Sequence, residues 1–308
     1  MNAYIGIDGG GTKTEGVLVA VDGREIARAV SGPSNLHAVG LKATATSLEA
    51  VLAQLKQAAR RAGVELRGAG LGMAGAARPG DRRALHALLS DIPGLPQVTI
   101  THDAEAALVG GLGCRCGCVL IAGTGAIAYG VNERGESYRA DGWGSLLGDE
   151  GGGYWIGREG LRAAVRACDG RGPPTALRDL VLSRYGATDV HGLVRVVYEE
   201  GFGVPQVAAA AQWVSQAADE GDRVACDILE AAARGLSLTL SAVVRGLEMA
   251  EEPLEVVFTG GLLRDRGPLW QAVAGAMAGF APGARAMPPR HDAAYGAALL
   301  AQAMEGTQ

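Results

Sequence analysis

The chain has 308 residues, of which 48% are hydrophobic and 20% are charged, and its formal net charge at pH 7 is -5. This composition is typical of soluble globular proteins and excludes an intrinsically disordered chain, and the length favours two domains. Lys and Arg are scattered, so no basic stretch predicts nucleic acid as a partner. No apolar run reaches the roughly 20 residues that cross a bilayer, and no basic leader precedes the first apolar run. We therefore expect a cytoplasmic protein that binds neither nucleic acid nor membrane.

The first thirty residues predict three strands joined by tight turns. Tyr4 to Asp8 is an apolar run that ends in glycines, and Val17 to Val21 is a second apolar run. Asp22-Gly23 then gives a hairpin signal, and Arg24 to Val30 alternates as a third strand.

The same order of elements recurs in the middle of the chain. Gly117 to Ala122 enters a turn at Gly123-Thr124-Gly125, and a second apolar segment reaches Val131. Asn132 to Gly135 then turns into a short strand, Glu136 to Arg139. Two copies of strand, glycine turn, strand, hairpin and strand indicate a duplicated domain. Each half would then offer one glycine turn to a ligand.

Between and after the two copies, apolar spacing of three and four residues predicts helices, and short apolar runs predict strands. The predicted elements are a helix from Leu41 to Ala59, strands at Ala69–Met73 and Val98–Thr101, a helix that begins at Asp103, mainly helical chain from Gly152 to Met249 with one long amphipathic helix from Ala225 to Leu247, a strand at Leu254–Phe258 followed by a helix, and a last helix from about Asp292 to Met304.

Five cysteines are present, and three of them alternate at the predicted start of a strand: Cys114, Cys116 and Cys118. Alternation along a strand would place the three thiols on one face, where a metal or iron–sulfur site is conceivable. Tetrahedral zinc takes four ligands, however, and no His neighbours the cluster. We therefore expect reduced, structural thiols.

Three glycines follow the first predicted strand, in the sequence Asp8-Gly9-Gly10-Gly11-Thr12-Lys13-Thr14. Glycines let main-chain N–H groups converge on an anion without obstruction by side chains. The segment is not a P-loop, since Thr12-Lys13 follows Gly11 and a strand rather than a helix comes next. Asp8 at the strand end, beside hydroxyls and a lysine, favours phosphate and magnesium over an empty glycine-rich hairpin.

The second turn, Gly123-Thr124-Gly125, is followed by Ala126 and Ala128 at positions that superficially match a dinucleotide fingerprint. That fingerprint requires a helix after the glycines, whereas the segment up to Val131 and the turn behind it predict a hairpin. A second phosphate-binding turn fits the internal repeat better.

Three further segments offer polar groups to a substrate. Asp141 to Gly153 holds three carboxylates among six glycines, which is costly to order unless the segment binds something, and sugar hydroxyls are natural partners. Asn35 lies in an irregular loop after a strand, where its amide either closes a turn or contacts a hydroxyl. Asp103 lies between a strand and a helix, where it can cap the helix, and a capping carboxylate can also accept a proton from an attacking hydroxyl.

Taken together, these motifs resemble the ordered set of the sugar kinase, Hsp70 and actin superfamily over almost the whole chain. The set comprises Asp8 to Thr14, Asp103, Ile121 to Ala126, Asp149-Glu150-Gly151 and Phe258-Thr259-Gly260-Gly261. Within the superfamily, three segments resemble N-acetylglucosamine kinases of the BadF/BcrA-type ATPase family: Gly6 to Thr14, Gly32 to Asn35, and Gly142-Trp143-Gly144 with Gly148-Asp149-Glu150-Gly151.

The resemblance implies an α/β fold of two ribonuclease-H-like domains, as in actin-like ATPases, with a central cleft between them. The first domain would comprise residues 1–113 plus 291–308, and the second would comprise residues 114–290 with a helical insertion. ATP would lie against both glycine turns, with adenosine near the end of a later strand. The implied nucleotide-binding residues are Gly10, Gly11, Thr12, Lys13, Thr14, Gly123, Thr124, Gly125, Thr259, Gly260 and Gly261.

The resemblance also implies roles for single side chains. Asp103 matches the catalytic base, and Asp8 matches the carboxylate near Mg²⁺. Ala126 departs from relatives that carry Ser after Gly-Thr-Gly, so one hydroxyl contact is missing or replaced. The implied sugar contacts are Asn35, Asp103, Thr124, Trp143, Asp149 and Gly152.

The activity expected from the resemblance is ATP- and Mg²⁺-dependent phosphorylation of an amino sugar, with N-acetylglucosamine 6-phosphate as the product and a homodimer as the working unit. Glucosamine or another hexose is the alternative acceptor. A second alternative is an ATPase activator that is coupled to a redox enzyme through an iron–sulfur cluster, although Cys114 to Cys118 do not obviously match the ligand positions of such activators. A third is a nucleotide-dependent binding or regulatory protein without an acceptor.

Overall fold

The computed structural model describes residues 1–76, 78–90, 92, 94–95 and 97–305. Its strands are β1 (Asn2–Gly9), β2 (Thr14–Ala20), β3 (Glu25–Ser31), β4 (Glu65–Met73), β5 (Gln97–Thr101), β6 (Gly117–Ala122), β7 (Ala126–Val131), β8 (Ser137–Asp141), β9 (Leu254–Thr259) and β10 (Ala284–Met287). Its helices are α1 (Leu36–Ala62), α2 (Pro79–Ser90), α3 (Asp103–Leu112), α4 (Gly153–Cys168), α5 (Leu177–Arg184), α6 (Val190–Val197), α7 (Val204–Ala209), α8 (Ala211–Asp219), α9 (Arg223–Gly246), α10 (Pro268–Met277) and α11 (Ala293–Glu305).

The chain divides into two compact units. Unit 1 comprises Met1–Val119, Gly130–Gly135 and Pro288–Gln308, and unit 2 comprises Leu120–Tyr129 and Glu136–Met287. The domain boundaries that we predicted, 1–113 plus 291–308 and 114–290, stay a prediction. Residues 77, 91, 93, 96 and 306–308 of the first predicted domain lie outside the described residues.

The first sheet has the strand order β3-β2-β1-β4-β5. Antiparallel hairpins join β1 to β2 and β2 to β3, whereas β4 runs parallel to β1 and β5 runs parallel to β4. Helices cover both faces of β1, so its side chains are apolar on both faces. Ile5 and Ile7 pack in one cluster with Leu48 of α1, and Tyr4 packs in another with Ala298 of α11.

The backbone of α11 lies directly against the central strands of the first sheet. A Cβ atom at Gly6 in β1 would overlap the carbonyl oxygen of Ala294, and one at Gly70 in β4 would overlap the carbonyl oxygen of Ala297. Only glycine permits so close an approach of helix and strand. This packing holds the carboxyl end of β1, where Asp8 lies, in a fixed position within unit 1.

The second sheet has the order β10-β9-β6-β7-β8, in which β6 to β10 take the places that β1 to β5 take in the first sheet. The duplication that the sequence predicts is therefore confirmed at the level of sheet topology, and the mixed α/β fold class is confirmed with it. Strands β9 and β10 are parallel. In unit 2, α4 packs on α5, α7, α8 and α9.

Most predicted elements are found with small shifts at their ends. The bounds of β6 and the start of α3 at Asp103 are as predicted, and α9 is the predicted long amphipathic helix. Helix α1 begins at Leu36, five residues before the predicted start, and it is interrupted at Gly40, whose φ is 76°. Helix α2 and strand β10 were not predicted.

The predicted arrangement of the cysteines is wrong for two of the three clustered thiols. Strand β6 begins at Gly117, so Cys114 and Cys116 lie in a bend before it, and only Cys118 is in the strand. Cys114 is exposed and Cys118 is buried, and all five cysteines are free thiols. Burial raises the pKa of Cys118 to about 12. Within the described ranges, no helix is long and apolar enough to cross a membrane.

Candidate active site

The first glycine turn presents unused backbone donors to solvent. Gly10 closes it with a hydrogen bond from its N–H to the carbonyl of Lys13 at 3.0 Å, and the Gly10 carbonyl accepts from the N–H groups of Ser34 and Asn35. In the part of the chain that the structure describes, the N–H groups of Gly11, Thr12 and Lys13 donate no hydrogen bond, and these three residues are exposed. Consecutive free amides in a turn are available to bind an anion.

Two side chains of the first turn differ in exposure: Thr14 is buried in unit 1, and Lys13 lies at its surface. Thr14 is fully buried, and its hydroxyl is bonded to the carbonyl of Gly32 and to the hydroxyl of Ser34, each at 2.7 Å. This buried hydroxyl shapes the turn, and the place of Thr14 in a nucleotide site stays a prediction. Lys13 is exposed, with Nζ 2.8 Å from Oε1 of Glu15. The Lys13 ammonium is therefore held beside the turn.

Asp8 occupies the end of β1, one residue before the turn, and is partly buried. Burial raises the pKa of Asp8 to about 7, and the negative charges of Asp103, Glu15 and Asp292 act in the same direction against the opposing charge of Lys13. A divalent cation would relieve this excess of negative charge. Since Mg²⁺ is usually held by one or two protein carboxylates together with phosphate oxygens, the donor set around Asp8 fits that ion.

Asp103 is the first residue of α3, which follows β5. We considered Asp103 as a helix cap, and the structure shows that this interpretation is wrong, because His102 is the cap. Nδ1 of His102 accepts from the N–H of Glu105 at 3.1 Å. Oδ1 of Asp103 accepts from the N–H of Ala104 at 2.9 Å, and Oδ2 accepts no hydrogen bond within the described residues. The Asp103 carboxylate therefore keeps an open oxygen. Asp103 also lies near Asp8, because Gly72, the pairing partner of Asp8 in β4, would place a Cβ atom 3.6 Å from the Cα atom of Asp103.

Asn35 is the N-cap of α1. Its Oδ1 accepts from the N–H groups of His37 at 3.0 Å and Ala38 at 3.3 Å, so the turn interpretation of this residue is correct. Among the described residues its Nδ2 amide donates no hydrogen bond, and it can therefore still donate to a ligand. Gly75, with φ of 86°, lies against Asn35, and a Cβ atom there would be 3.2 Å from Oδ1 of Asn35.

The second glycine turn supports the start of α4 in unit 2. The N–H of Gly153 donates to the carbonyl of Gly123 at 2.8 Å, and that of Tyr154 donates to Thr124 at 2.9 Å. Gly152 is the N-cap position, where a Cβ atom would lie 2.7 Å from the carbonyl carbon of Gly125. The carbonyls of the turn thus satisfy the first donors of α4. The N–H groups of Thr124 and Gly125 form no hydrogen bond within the described chain and are left for an anion.

Thr259-Gly260-Gly261 lies beside the second glycine turn. Gly260 has φ of 93°, and a Cβ atom on it would overlap the carbonyl of Ala122, the last residue of β6. The N–H of Leu262 donates to the same carbonyl at 3.0 Å. Two segments that the sequence predicts for the nucleotide are therefore brought together in unit 2.

Asp149 is almost fully buried, in contrast to its neighbour Glu150. The pKa of Asp149 is raised, mainly by burial and further by the negative charge of Asp141. Hydrogen bonds from the N–H groups of Ala126 and Gly144 lower this pKa and partly offset the effect of burial. The carboxylate thus joins the second glycine turn to the loop before it. Trp143 in that loop is 64% exposed.

Comparison with known proteins agrees with this geometry. Residues 5–301 match the profile of the BadF/BadG/BcrA/BcrD ATPase family. The chain belongs to this family. A relative from Dictyostelium discoideum, named N-acetyl-D-glucosamine kinase, is 34% identical over 97% of each chain. A relative from Clostridium acetobutylicum, named N-acetylmuramic acid/N-acetylglucosamine kinase, is 31% identical over 98% of this chain and 99% of its own.

A similar solved structure is consistent with this fold. A crystal structure from Chromobacterium violaceum, which carries the provisional name N-acetylglucosamine kinase, is 30% identical and covers 97% of this chain and 98% of its own, with a TM-score of 0.75. Membership in an ATPase family agrees with the prediction that the two glycine turns bind ATP.

Proposed function

We propose that this family member is an ATP-dependent sugar kinase that phosphorylates amino sugars, with N-acetylglucosamine as the acceptor and its 6-hydroxyl as the attacking group. The observation that carries the proposal is the carboxylate of Asp103, which is not used as a helix cap, lies close to Asp8, and belongs to the same unit as an exposed amide turn. The names of the near full-length relatives support an amino sugar as the acceptor class.

Phosphoryl transfer depends on positioning and charge neutralisation more than on covalent help from the protein. The free N–H groups of Gly11 to Lys13 and of Thr124 and Gly125 would hold phosphate oxygens. Asp8 would hold Mg²⁺, directly or through water, and the ion would supply neutralisation of the phosphate charge. Asp103 would orient the acceptor hydroxyl and take its proton through the open Oδ2.

Three further side chains would recognise the acceptor. Asn35 would donate through its free Nδ2 amide, and Asp149 would accept through a carboxylate held by two backbone amides. Trp143 would offer its exposed ring to the apolar face of the sugar. These roles, and those of Thr124 and Gly152, are proposals that rest on the positions described above.

An acceptor screen tests the function. ADP release is measured over N-acetylglucosamine, N-acetylmuramic acid, glucosamine, glucose and N-acetylmannosamine, with and without Mg²⁺. We expect the highest kcat/KM with N-acetylglucosamine, and phosphorus NMR of the product identifies the modified hydroxyl. ATP hydrolysis that no sugar stimulates would contradict the proposal, and a product phosphorylated elsewhere would correct its regiochemistry. The homodimer and the cytoplasmic location stay predictions, and light scattering in solution tests the first.

A further inference from the structure

One loop of unit 2, residues 142–148 between β8 and Asp149, is closed at its base by hydrogen bonds of aspartate side chains. Oδ1 of Asp141, the last residue of β8, accepts from the N–H of Asp149 at 2.8 Å. The Asp149 carboxylate accepts in turn from the N–H of Gly144 inside the loop and from the N–H of Ala126 in β7. Two aspartates therefore tie the ends of the 142–148 loop to each other and to the second glycine turn.

Burial of apolar side chains does not explain why the 142–148 loop is ordered. Its three large apolar residues face solvent, since Trp143 is 64% exposed, Leu146 92% and Leu147 79%. The ring of Trp143 contacts the guanidinium of Arg139, which lies 4.3 Å from the ring centroid. A loop that buries so little apolar surface depends on its hydrogen bonds to offset the entropy that ordering costs.

The hydrogen bonds of Asp141 and Asp149 at the base of the loop form what we call the clamp. This clamp is costly for folding. Asp141 and Asp149 both have φ of 63°, a conformation that residues other than glycine rarely adopt. Oδ2 of Asp141 is buried and has no hydrogen-bond partner within the described residues. Gly148 has no space for a side chain, because a Cβ atom there would overlap Oδ1 of Asp141. Strain and an unsatisfied buried acceptor are typical of positions that serve a site rather than stability.

We propose that Asp141 is a positioning residue for acceptor binding, which holds the N–H of Asp149 so that the Asp149 carboxylate and the Trp143 ring meet the sugar in one fixed arrangement. The inference rests on the proposed function, because that proposal makes Asp149 and Trp143 sugar contacts. Asp141 itself touches no substrate.

The first test compares two substitutions of Asp141. Asp141→Ala removes the acceptor, so we expect KM for the sugar to rise roughly tenfold, the scale of one lost hydrogen bond to a charged group. KM for ATP should stay within about twofold, since Gly153 and Tyr154 hold the second glycine turn independently. Asp141→Asn keeps Oδ1 as an acceptor and should restore a sugar KM near that of the wild type. The control is Asp227→Ala, at an exposed carboxylate of α9.

An unchanged sugar KM in Asp141→Ala would overturn the inference, as would a sugar KM in Asp141→Asn as high as in Asp141→Ala. A merely structural role predicts instead a lower apparent kcat, in proportion to the lost folded fraction, with both KM values unchanged.

A second variant approaches the same hydrogen bond from the other side. Gly148 does not have a left-handed backbone, so Gly148→Ala adds only the overlap with Asp141 Oδ1. We expect it to raise the sugar KM as Asp141→Ala does. In the double variant Asp141→Ala/Gly148→Ala, the overlap is gone, so the two effects should not add. Additive effects would show that Gly148 acts elsewhere and would overturn the inference. Gly148→Ala also serves if Asp141→Ala does not fold.

Hydrogen exchange separates this inference from the proposed function. In the wild type without ligands, the amide of Asp149 should exchange slowly, and in Asp141→Ala at least about tenfold faster, because its acceptor is lost. If no sugar is phosphorylated but the exchange rate changes as expected, the proposed function fails while the clamp stands. If sugar is phosphorylated and exchange at Asp149 is the same in both proteins, the inference fails and the function stands.

Discussion

Replacement of Asp8 by Asn should stabilise the ligand-free protein and abolish its activity. Asp8 has a pKa of about 7 in the folded chain, against an ordinary value of 3.8, because it is buried among carboxylates. In the unfolded chain the same group ionises about three pH units lower. The folded state therefore binds this proton more tightly than the unfolded state does, and folding is penalised wherever Asp8 must ionise.

The sign and size follow from linkage between protonation and folding. Below about pH 4 Asp8 is protonated in both states and contributes nothing. From about pH 4 to pH 7 the stability of the wild type falls, and above pH 7 the loss is constant. Three pKa units correspond to about 4 kcal/mol, as an upper bound. Asp8→Asn removes this ionisation, so at pH 8 the variant should be more stable than the wild type by up to about 4 kcal/mol.

Urea unfolding at pH 5 and pH 8 measures this difference, with Glu49→Gln on the exposed face of α1 as the control that removes a carboxylate at the surface. Mg²⁺ with ADP should raise the unfolding midpoint of the wild type at pH 8 and should raise that of Asp8→Asn much less. The reasoning would be refuted if Asp8→Asn were less stable than the wild type at pH 8, or if its stability fell between pH 5 and pH 8 as steeply as that of the wild type.

Three further outcomes are expected. Asp103→Asn should lower kcat at least about a hundredfold, while ATP still binds in calorimetry. The control Glu49→Gln should leave kcat and ATP binding unchanged. A fully active Asp103→Asn variant would show that Asp103 has no part in the mechanism. Gly70→Ala should cost about 3 kcal/mol or more in urea unfolding, because its Cβ atom would overlap a carbonyl of α11, and a cost below about 1 kcal/mol would contradict that packing. In the native protein, a thiol reagent at pH 8 should modify the exposed Cys114 and leave Cys118 intact, because Cys118 is buried and burial raises its pKa to about 12. Equal labelling rates of the two thiols would contradict the burial of Cys118.

The fold was largely predictable because its main signals are local. Apolar runs that end in glycines marked β1 and β6, and the repeat of this pattern indicated the duplicated sheet. Helix α2 carries a local signal as well, namely Pro79 at its start and apolar side chains at Leu85, Leu88 and Leu89. Strand β10 has no such signal, since its four residues, Ala284–Met287, are ordered by parallel pairing with β9.

The candidate site was less predictable, because its hydrogen bonds join residues that are distant in sequence. His102 rather than Asp103 caps α3, and a ring nitrogen is an uncommon cap that no local rule favours. Asp149 is bound by the N–H of Ala126, more than twenty residues earlier. The sequence marked Asp141 only as one of three acids among glycines, and its part in the clamp depends on a backbone turn that composition does not specify.

The internal repeat extends to the hydrogen bonds that shape the ligand-facing edge of each sheet. In unit 1, the N–H of Ala74, which follows the fourth strand, donates to the carbonyl of Gly9 at the end of the first strand; in unit 2, the N–H of Leu262 donates in the same way to Ala122. A glycine with positive φ follows the fourth strand in both units, at Gly75 and Gly260. The spacing differs, since Ala74 directly follows its strand and Leu262 lies three residues after the end of its strand. The carboxylates differ in place as well, because Asp8 lies on the first strand of unit 1, whereas Asp149 lies in the loop that precedes α4 of unit 2. The repeated sheet topology has therefore diverged at these edges in both backbone and side chains.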